Sequence, residues 1–124
     1  MREIPREEWV EFLDGFSRQH EGWLVTLEVL GEEIGAQVEA EELRLEGVTA
    51  DLKGGGAGVI SIILGKGGAE RVTHNVTQPT HVRVEQTGDG ADLALQIESG
   101  SGVTTLLRFR SAVLPEMVDG FVLE

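Results

Sequence analysis

The residues best suited to chemistry form one short cluster, in which an arginine, a histidine and a tryptophan fall within six positions: Arg18, His20 and Trp23. Imidazole titrates near neutral pH, and ligand pockets combine aromatic walls with a few polar groups. With nearby carboxylates, this cluster predicts a pocket for a small ligand or a small enzymatic site. The competing interpretation is that the aromatic residues pack in the core.

Three arginines in the later part of the chain form the second candidate set. Arg83, Arg108 and Arg110 are the only clustered basic residues, and they fall in segments that alternate as strands do. If these strands pair, the arginines form a small positive patch on an acidic protein. We expect such a patch to contact an acidic partner or a neighbouring subunit.

The sequence matches no motif for catalysis, cofactor binding or metal binding. The pair Gly65-Lys66 lacks the earlier glycine and the following serine or threonine of a phosphate-binding loop. His20, His74 and His81 lack the spacing of a metal site. We therefore predict no catalytic residue, no metal and no cofactor.

The charge balance is strongly acidic, with 10 basic and 22 acidic residues and a net charge of −12. An acidic surface repels phosphate groups, so neither nucleic acid nor an anionic membrane is expected as a partner. Residues 1–62 carry 5 basic and 14 acidic side chains (−9), and residues 63–124 carry 5 and 8 (−3). The later half is thus the better candidate for contacts.

Glutamates are concentrated in one acidic stretch. They are Glu32, Glu33, Glu39, Glu41, Glu42 and Glu46. A cation site is one interpretation, but the stretch lacks the spacing of a calcium-binding loop. Because alternation places Glu39 and Glu41 on one wet face, a solvated surface that resists aggregation is the simpler interpretation.

The chain contains no cysteine, so disulfides, zinc–thiolate sites and cysteine nucleophiles are excluded. Its first residues are charged and lack the apolar core of a signal peptide, and no apolar run approaches a membrane span. These features predict a cytoplasmic protein.

The segment from residue 4 to residue 30 organises the fold. Pro5 suits the first turn of a helix, and Gly22 suits its left-handed end. Between them, five residues at helical spacing predict one buried stripe. They are Trp9, Phe12, Leu13, Phe16 and His20. From Trp23 the apolar period changes from 3.6 to 2, which predicts a strand.

Alternation and glycine turns after Trp23 predict about seven or eight short antiparallel strands. Gly47 is predicted to break a strand, and the apolar run Val59–Leu64 to be the most central one. We predict an α+β fold: the N-terminal helix packs on a strongly bent antiparallel sheet. Closure as a small SH3-like or Sm-like barrel is the first choice, and an open sheet with the helix across one face is the second. The predicted single domain spans 1–124, with helix and cap over 4–22, strands over 23–110 and a C-terminal cap over 111–124.

Three stretches carry a family resemblance: IPREEWVEFLDGFSRQHEGWLVTLEVLG, VTADLKG and FRSAVLPEMVDG. They resemble a small bacterial family of uncharacterised domains, domains of unknown function, with the opening I-P-x-x-x-W…F-S-R-Q-H-x-G-W. The resemblance covers nearly the whole chain. It implies a stand-alone bacterial cytosolic domain and transfers no catalytic residue.

Two classes of function follow. The first is a non-enzymatic protein-binding or assembly module, in which the chain contacts a protein partner or another copy of itself. The alternative is a small-molecule-binding protein or small enzyme with a pocket near the helix–strand junction, at Arg18, His20 and Trp23. A large apolar interface would favour the first class, and a concave pocket with convergent polar groups the second.

Overall fold

The fold consists of an N-terminal helix packed on one antiparallel sheet, which confirms the predicted α+β class. A computed structural model of the chain describes residues 1–53, 58–67 and 70–110, without the side chains of residues 66 and 67. In chain order the elements are β1 (Arg2–Ile4), a 3-10 turn (Arg6–Glu8), α1 (Trp9–His20), β2 (Leu24–Gly31), β3 (Gly35–Asp51), β4 (Val59–Gly67), β5 (Glu70–Thr77), β6 (Pro79–Gln86), β7 (Asp92–Ser99) and β8 (Thr104–Phe109). The predicted C-terminal cap over 111–124 lies outside the described residues.

The predicted helical stripe faces the core. Trp9, Leu13, Phe16 and His20 are buried, and Phe12 is half-buried. Helical spacing places these side chains on one face, so the face packs against the sheet and the charged face meets water. Gly22 follows the helix with φ +87°, which confirms its predicted left-handed role. Among the helices of residues 1–53, 58–67 and 70–110, none is long and apolar enough to cross a membrane.

The short strand β1 is absent from the sequence-based prediction, because three residues give too little alternation to recognise. It pairs with β6, with Ile4 opposite Val82. The indole Nε1 of Trp9 donates to the carbonyl oxygen of Ile4 at 2.9 Å. This bond joins the first strand to the start of the helix.

The sheet is strongly bent, as predicted. Its order is β1-β6-β7-β8-β2-β3-β4-β5. Gln78 alone joins β5, at one edge, to β6, near the other, so the two ends of the sheet must approach each other. Across this approach Ser99 Oγ donates to Thr77 O at 2.7 Å, and Gly100 N donates to Gln78 O at 2.8 Å. In the part of the chain described, no ladder joins β5 to β1 or β6. The sheet is therefore not closed, and the barrel that was the first choice from the sequence is not confirmed.

Two predictions about the strands are wrong. Gly47 does not break a strand: β3 continues for 17 residues, and a register shift between Leu45 and Gly47 marks a bulge instead. The run Val59–Leu64 lies in β4, next to the edge strand β5, and is not central. Its inner side chains are buried and its outer ones half-buried, so the apolar run reflects burial rather than a central position.

Candidate functional site

The helix–strand junction holds a buried histidine with two oxygen partners. His20 is 4% exposed; its Nδ1 lies 2.8 Å from Phe16 O, and its Nε2 lies 3.1 Å from Asp92 Oδ2. The contact with Phe16 has the geometry of a hydrogen bond, and the contact with Asp92 is a close approach between the ring and the carboxylate. Gln86 Nε2 donates to the other carboxylate oxygen of Asp92 at 2.7 Å.

Aromatic rings surround this imidazole. Its ring stacks on Phe109 at 4.6 Å between centroids, and it lies 4.4 Å from the ring of Phe16. Trp23 meets it edge-on at 4.7 Å. Through these contacts His20 packs the end of α1 against Asp92, the first residue of β7.

The other two residues of the predicted pocket lie farther out. Arg18 pairs with Asp14 at 2.7 Å on the exposed face of the helix, where both side chains are mostly in water. Trp23 is 42% exposed and packs edge-on against Phe109. The structure therefore brings Trp23 to His20 and leaves Arg18 in the solvent.

The first of the three predicted arginines, Arg83, lies between two carboxylates. Its Nε is 3.0 Å from Glu3 Oε1, and its Nη1 donates to Glu98. His81 Nδ1 donates to the other oxygen of Glu3 at 2.7 Å. The hydrogen bond from His81, together with the charge of Arg83, lowers the pKa of Glu3 below its ordinary value. This cluster joins β1, β6 and β7 on the surface.

The other two arginines also have acidic partners on the sheet. Arg108 Nε lies 3.2 Å from Glu28 Oε1, and Arg110 Nε lies 3.5 Å from Glu42 Oε1. The protein's own carboxylates thus neutralise all three predicted arginines.

A second histidine lies on the inner side of the sheet. His74 Nε2 is 3.3 Å from the hydroxyl of the buried Thr105, across the interior between β5 and β8. Burial lowers the pKa of His74, and the charge of Glu39 partly opposes this shift. Within the described residues, no three metal-ligating side chains lie together, and every buried side-chain nitrogen and oxygen has a hydrogen-bond partner.

The first half of β3 presents an unpaired strand edge. It pairs with β2 from Gly35 onward, whereas β4 reaches β3 only from Arg44 onward. Among the residues described, no strand lies beside Gly35–Glu41 on the side away from β2. We call this segment the open edge. Residues 35–39 are exposed on both faces of the sheet, and Ile34 and Val38 are 43% and 55% exposed.

The second half of β3 loses β2 as a neighbour, since that pairing ends at Arg44, but α1 takes its place. Ser17 Oγ accepts a hydrogen bond from Val48 N at 2.7 Å and lies 2.9 Å from Val48 O. Leu45 N donates to Trp23 O at 2.8 Å. We call Leu45–Asp51 the covered edge.

The open edge is also the place where acidic charge is left unneutralised. Residues 31–43 contain five glutamates and no lysine or arginine. In the part of the chain described, only Glu42 of these five forms an ion pair, with Arg110. The other four are Glu32, Glu33, Glu39 and Glu41.

Comparison with known proteins places the chain in a family. A family model described as "Family of unknown function (DUF5335)" matches residues 1–117. The chain belongs to this family. A relative from Aquifex aeolicus (strain VF5), named "Uncharacterized protein", is 32% identical over 114 residues, which cover 91% of this chain and 96% of the relative. No solved structure matches at a significant level. The family match confirms the resemblance to a domain of unknown function.

Sequence patterns did not reveal the open edge. They predicted the hairpin and its wet face, but alternation does not say which neighbours a strand has. One usable signal was the length of the alternating stretch, since Gly35–Asp51 is far longer than a typical strand and must change neighbours along its course. Asp92 was missed because its partner His20 is 72 positions away in the chain.

Proposed function

We propose that this protein is a non-enzymatic binding module that takes up a strand of a partner protein along the open edge. The observation that carries the proposal is the lack of a neighbouring strand beside Gly35–Glu41 in the described residues, next to the exposed side chains of Ile34 and Val38. Along a strand, alternate N–H and C=O groups point to each side, so this edge offers ready hydrogen-bond donors and acceptors. An added strand uses them for affinity and its side chains for specificity.

The junction supports this choice over an enzymatic one. His20 has the residue type for proton transfer, but it is buried, and its nitrogens lie beside Phe16 O and Asp92 Oδ2. A general acid or base must reach a substrate atom within hydrogen-bond distance. We further propose that the protein acts in the cytoplasm and without nucleic acid, which fits its lack of cysteine and its net charge of −12.

The experiment is site-specific photo-cross-linking in cells, with p-benzoylphenylalanine replacing Val38. The matched control carries the same probe in place of Val10 on α1, because the two valines are 55% and 53% exposed. We expect a discrete adduct with another polypeptide at position 38 and none at position 10. Equal labelling at both positions, or no adduct at position 38, would contradict the proposal. An adduct of twice the chain mass would instead indicate self-assembly.

A second pair of variants tests whether the backbone makes the contact. Ala36→Pro and Gln37→Pro each remove one N–H, and neighbouring N–H groups in a strand point to opposite sides. One variant therefore removes a donor of the open edge, and the other removes a bond to β2. The variant that keeps the wild-type melting temperature should lose the adduct at position 38. An adduct that persists in that variant would exclude strand addition.

A further inference from the structure

We infer that the strand bound at the open edge is a cationic one, in which apolar residues alternate with lysine or arginine. This inference rests on the proposed function and adds the chemistry of the partner. Three observations support it: the side chains on the two faces of the edge, the negative charge of the edge, and the repulsion expected between the open edges of two copies of the chain.

The outer face of the edge is apolar. Val38 lies opposite Glu28 and Ala36 lies opposite Leu30, so these positions share the outer face of the β2–β3 ladder. Both Val38 and Ala36 are exposed, and Leu30 is half-buried. Every second side chain of an added strand would lie beside them, and an apolar residue there removes exposed apolar surface from water.

The inner face of the edge is polar and negative. Gln37 lies opposite Val29, a core residue, and is therefore on the inner face. Glu39, which a register shift leaves without a partner on β2, is close enough to His74 on the inner side for its charge to raise the pKa of that histidine, against the larger effect of burial. The intervening side chains of an added strand would lie here, and opposite charges across neighbouring strands are stabilising. Lysine or arginine at these positions would match Glu39, with Glu41 and the turn glutamates near the ends of the strand.

Charge argues against a second copy as the occupant. Pairing two open edges would bring together two sets of four glutamates that have no ion pair within the described residues, in chains that each carry −12. Like charges opposite each other destabilise a strand pair, and charged edges are a common protection against self-association. The same glutamates that exclude a second copy favour a basic strand.

The test is fluorescence anisotropy with three labelled nine-residue peptides in which valine alternates with lysine, glutamine or glutamate. We expect the lysine peptide to bind, and the glutamine peptide to bind about tenfold more weakly, as two or three favourable cross-strand charge pairs would give. The glutamate peptide should not bind. Added salt should lower the affinity for the lysine peptide and leave the affinity for the glutamine peptide nearly unchanged.

Charge variants of the protein test whether the preference for the lysine peptide depends on the glutamates of the open edge. The double variant Glu39→Gln/Glu41→Gln should bind the lysine peptide about tenfold more weakly than wild type. The control Glu7→Gln/Glu8→Gln removes the same charge from two exposed glutamates beside α1 and should leave the affinity unchanged. Equal losses in both double variants would overturn the inference, because they would indicate attraction to the whole acidic surface.

The outcomes separate the inference from the proposed function. If the lysine and glutamine peptides bind equally well, and the fold-preserving proline variant loses both, strand addition stands and the charge preference is overturned. If no peptide binds, or if the proline variant binds as wild type does, both are overturned. Preference for the glutamate peptide would likewise overturn the inference.

Discussion

The two halves of β3 belong to one continuous strand but have different neighbours. The covered edge, Leu45–Asp51, has β4 on one side and α1 on the other, with Ser17 bonded to the backbone of Val48. The open edge, Gly35–Glu41, has β2 on one side and, in the described residues, no strand on the other. A strand without a neighbour exposes its backbone groups, and proteins usually protect such an edge with a helix, a charge or a bulge.

The protection differs in kind between the two halves. The covered edge already has neighbours among the described residues, because α1 lies beside it and Ser17 Oγ accepts a hydrogen bond from Val48 N. The charged side chains of the open edge are Glu39 and Glu41, which would repel a copy of the same chain and are proposed to attract a basic strand. His20, a residue that suggests chemistry, packs among aromatic rings at the end of α1, whereas the surface proposed for binding consists of backbone, glutamate and a few exposed aliphatic side chains.

The largest expected effect comes from loosening the helix that covers β3. Leu13 is fully buried, so Leu13→Ala should lower the free energy of unfolding by about 2–5 kcal/mol through lost burial and a cavity. Val10→Ala, on the exposed face of the same helix, should change it by less than about 0.5 kcal/mol. Denaturant unfolding of both variants checks this. A small effect of Leu13→Ala would mean that the helix contributes little to the core.

Removing the hydroxyl that covers β3 should have the next largest effect. Ser17→Ala leaves the N–H of Val48 without its partner, at a cost of about 1–3 kcal/mol. The control is Ser61→Ala, since Ser61 bonds only the exposed side chain of Asn75 at 2.7 Å. Hydrogen exchange sharpens the comparison: the Val48 amide should be protected in wild type and lose protection in Ser17→Ala. Equal stability of the two variants would show that Ser17 does not protect this edge.

His74 should make the stability depend on pH. Burial lowers its pKa in the folded protein below the unfolded value near 6.5, so the unfolded chain binds the proton more strongly. The neutral form's contribution is present above the unfolded pKa and is lost as the pH falls toward the lowered one. His74→Gln should therefore reduce the loss of melting temperature between pH 7.5 and pH 5. The same loss in both proteins would assign the pH dependence to other groups.

Much of the fold could be predicted because its signals are local. The stripe of Trp9, Leu13 and Phe16 indicated the helix, Gly22 its end, and alternation most of the strands. The errors have a shared cause, which is that burial and pairing depend on distant residues. Gly47 resembled a break, yet pairing with β4 continues on both sides of the bulge there.

The site could be predicted only in part, and for the same reason. His20 and Trp23 do lie together, but the role of His20 depends on Asp92, which is 72 positions away in the chain. The better candidate for contacts was predicted in the later half, where charge is nearer neutral. The open edge, which is the surface proposed for binding, lies in the acidic half. Composition could not indicate it, because composition does not record which strands have neighbours.

The smallest effect on stability is expected at Arg110, which follows β8 and pairs with Glu42, the residue next to the open edge. Arg110 forms an exposed pair with Glu42, so Arg110→Ser should change the free energy of unfolding by only about 0–1 kcal/mol. The control, Arg18→Ser, removes the exposed pair with Asp14 on α1.

The two arginine variants should differ in binding rather than in stability. Arg110→Ser leaves a fifth unneutralised glutamate beside the open edge, so the lysine peptide should bind roughly two- to fivefold more tightly. Arg18→Ser adds the same negative charge on the helix and should leave that affinity unchanged. Weaker binding of the lysine peptide to Arg110→Ser would argue that Arg110 itself contacts the partner, as the arginine-patch hypothesis holds. Equal gains in both variants would show that the peptide responds to net charge and not to the open edge.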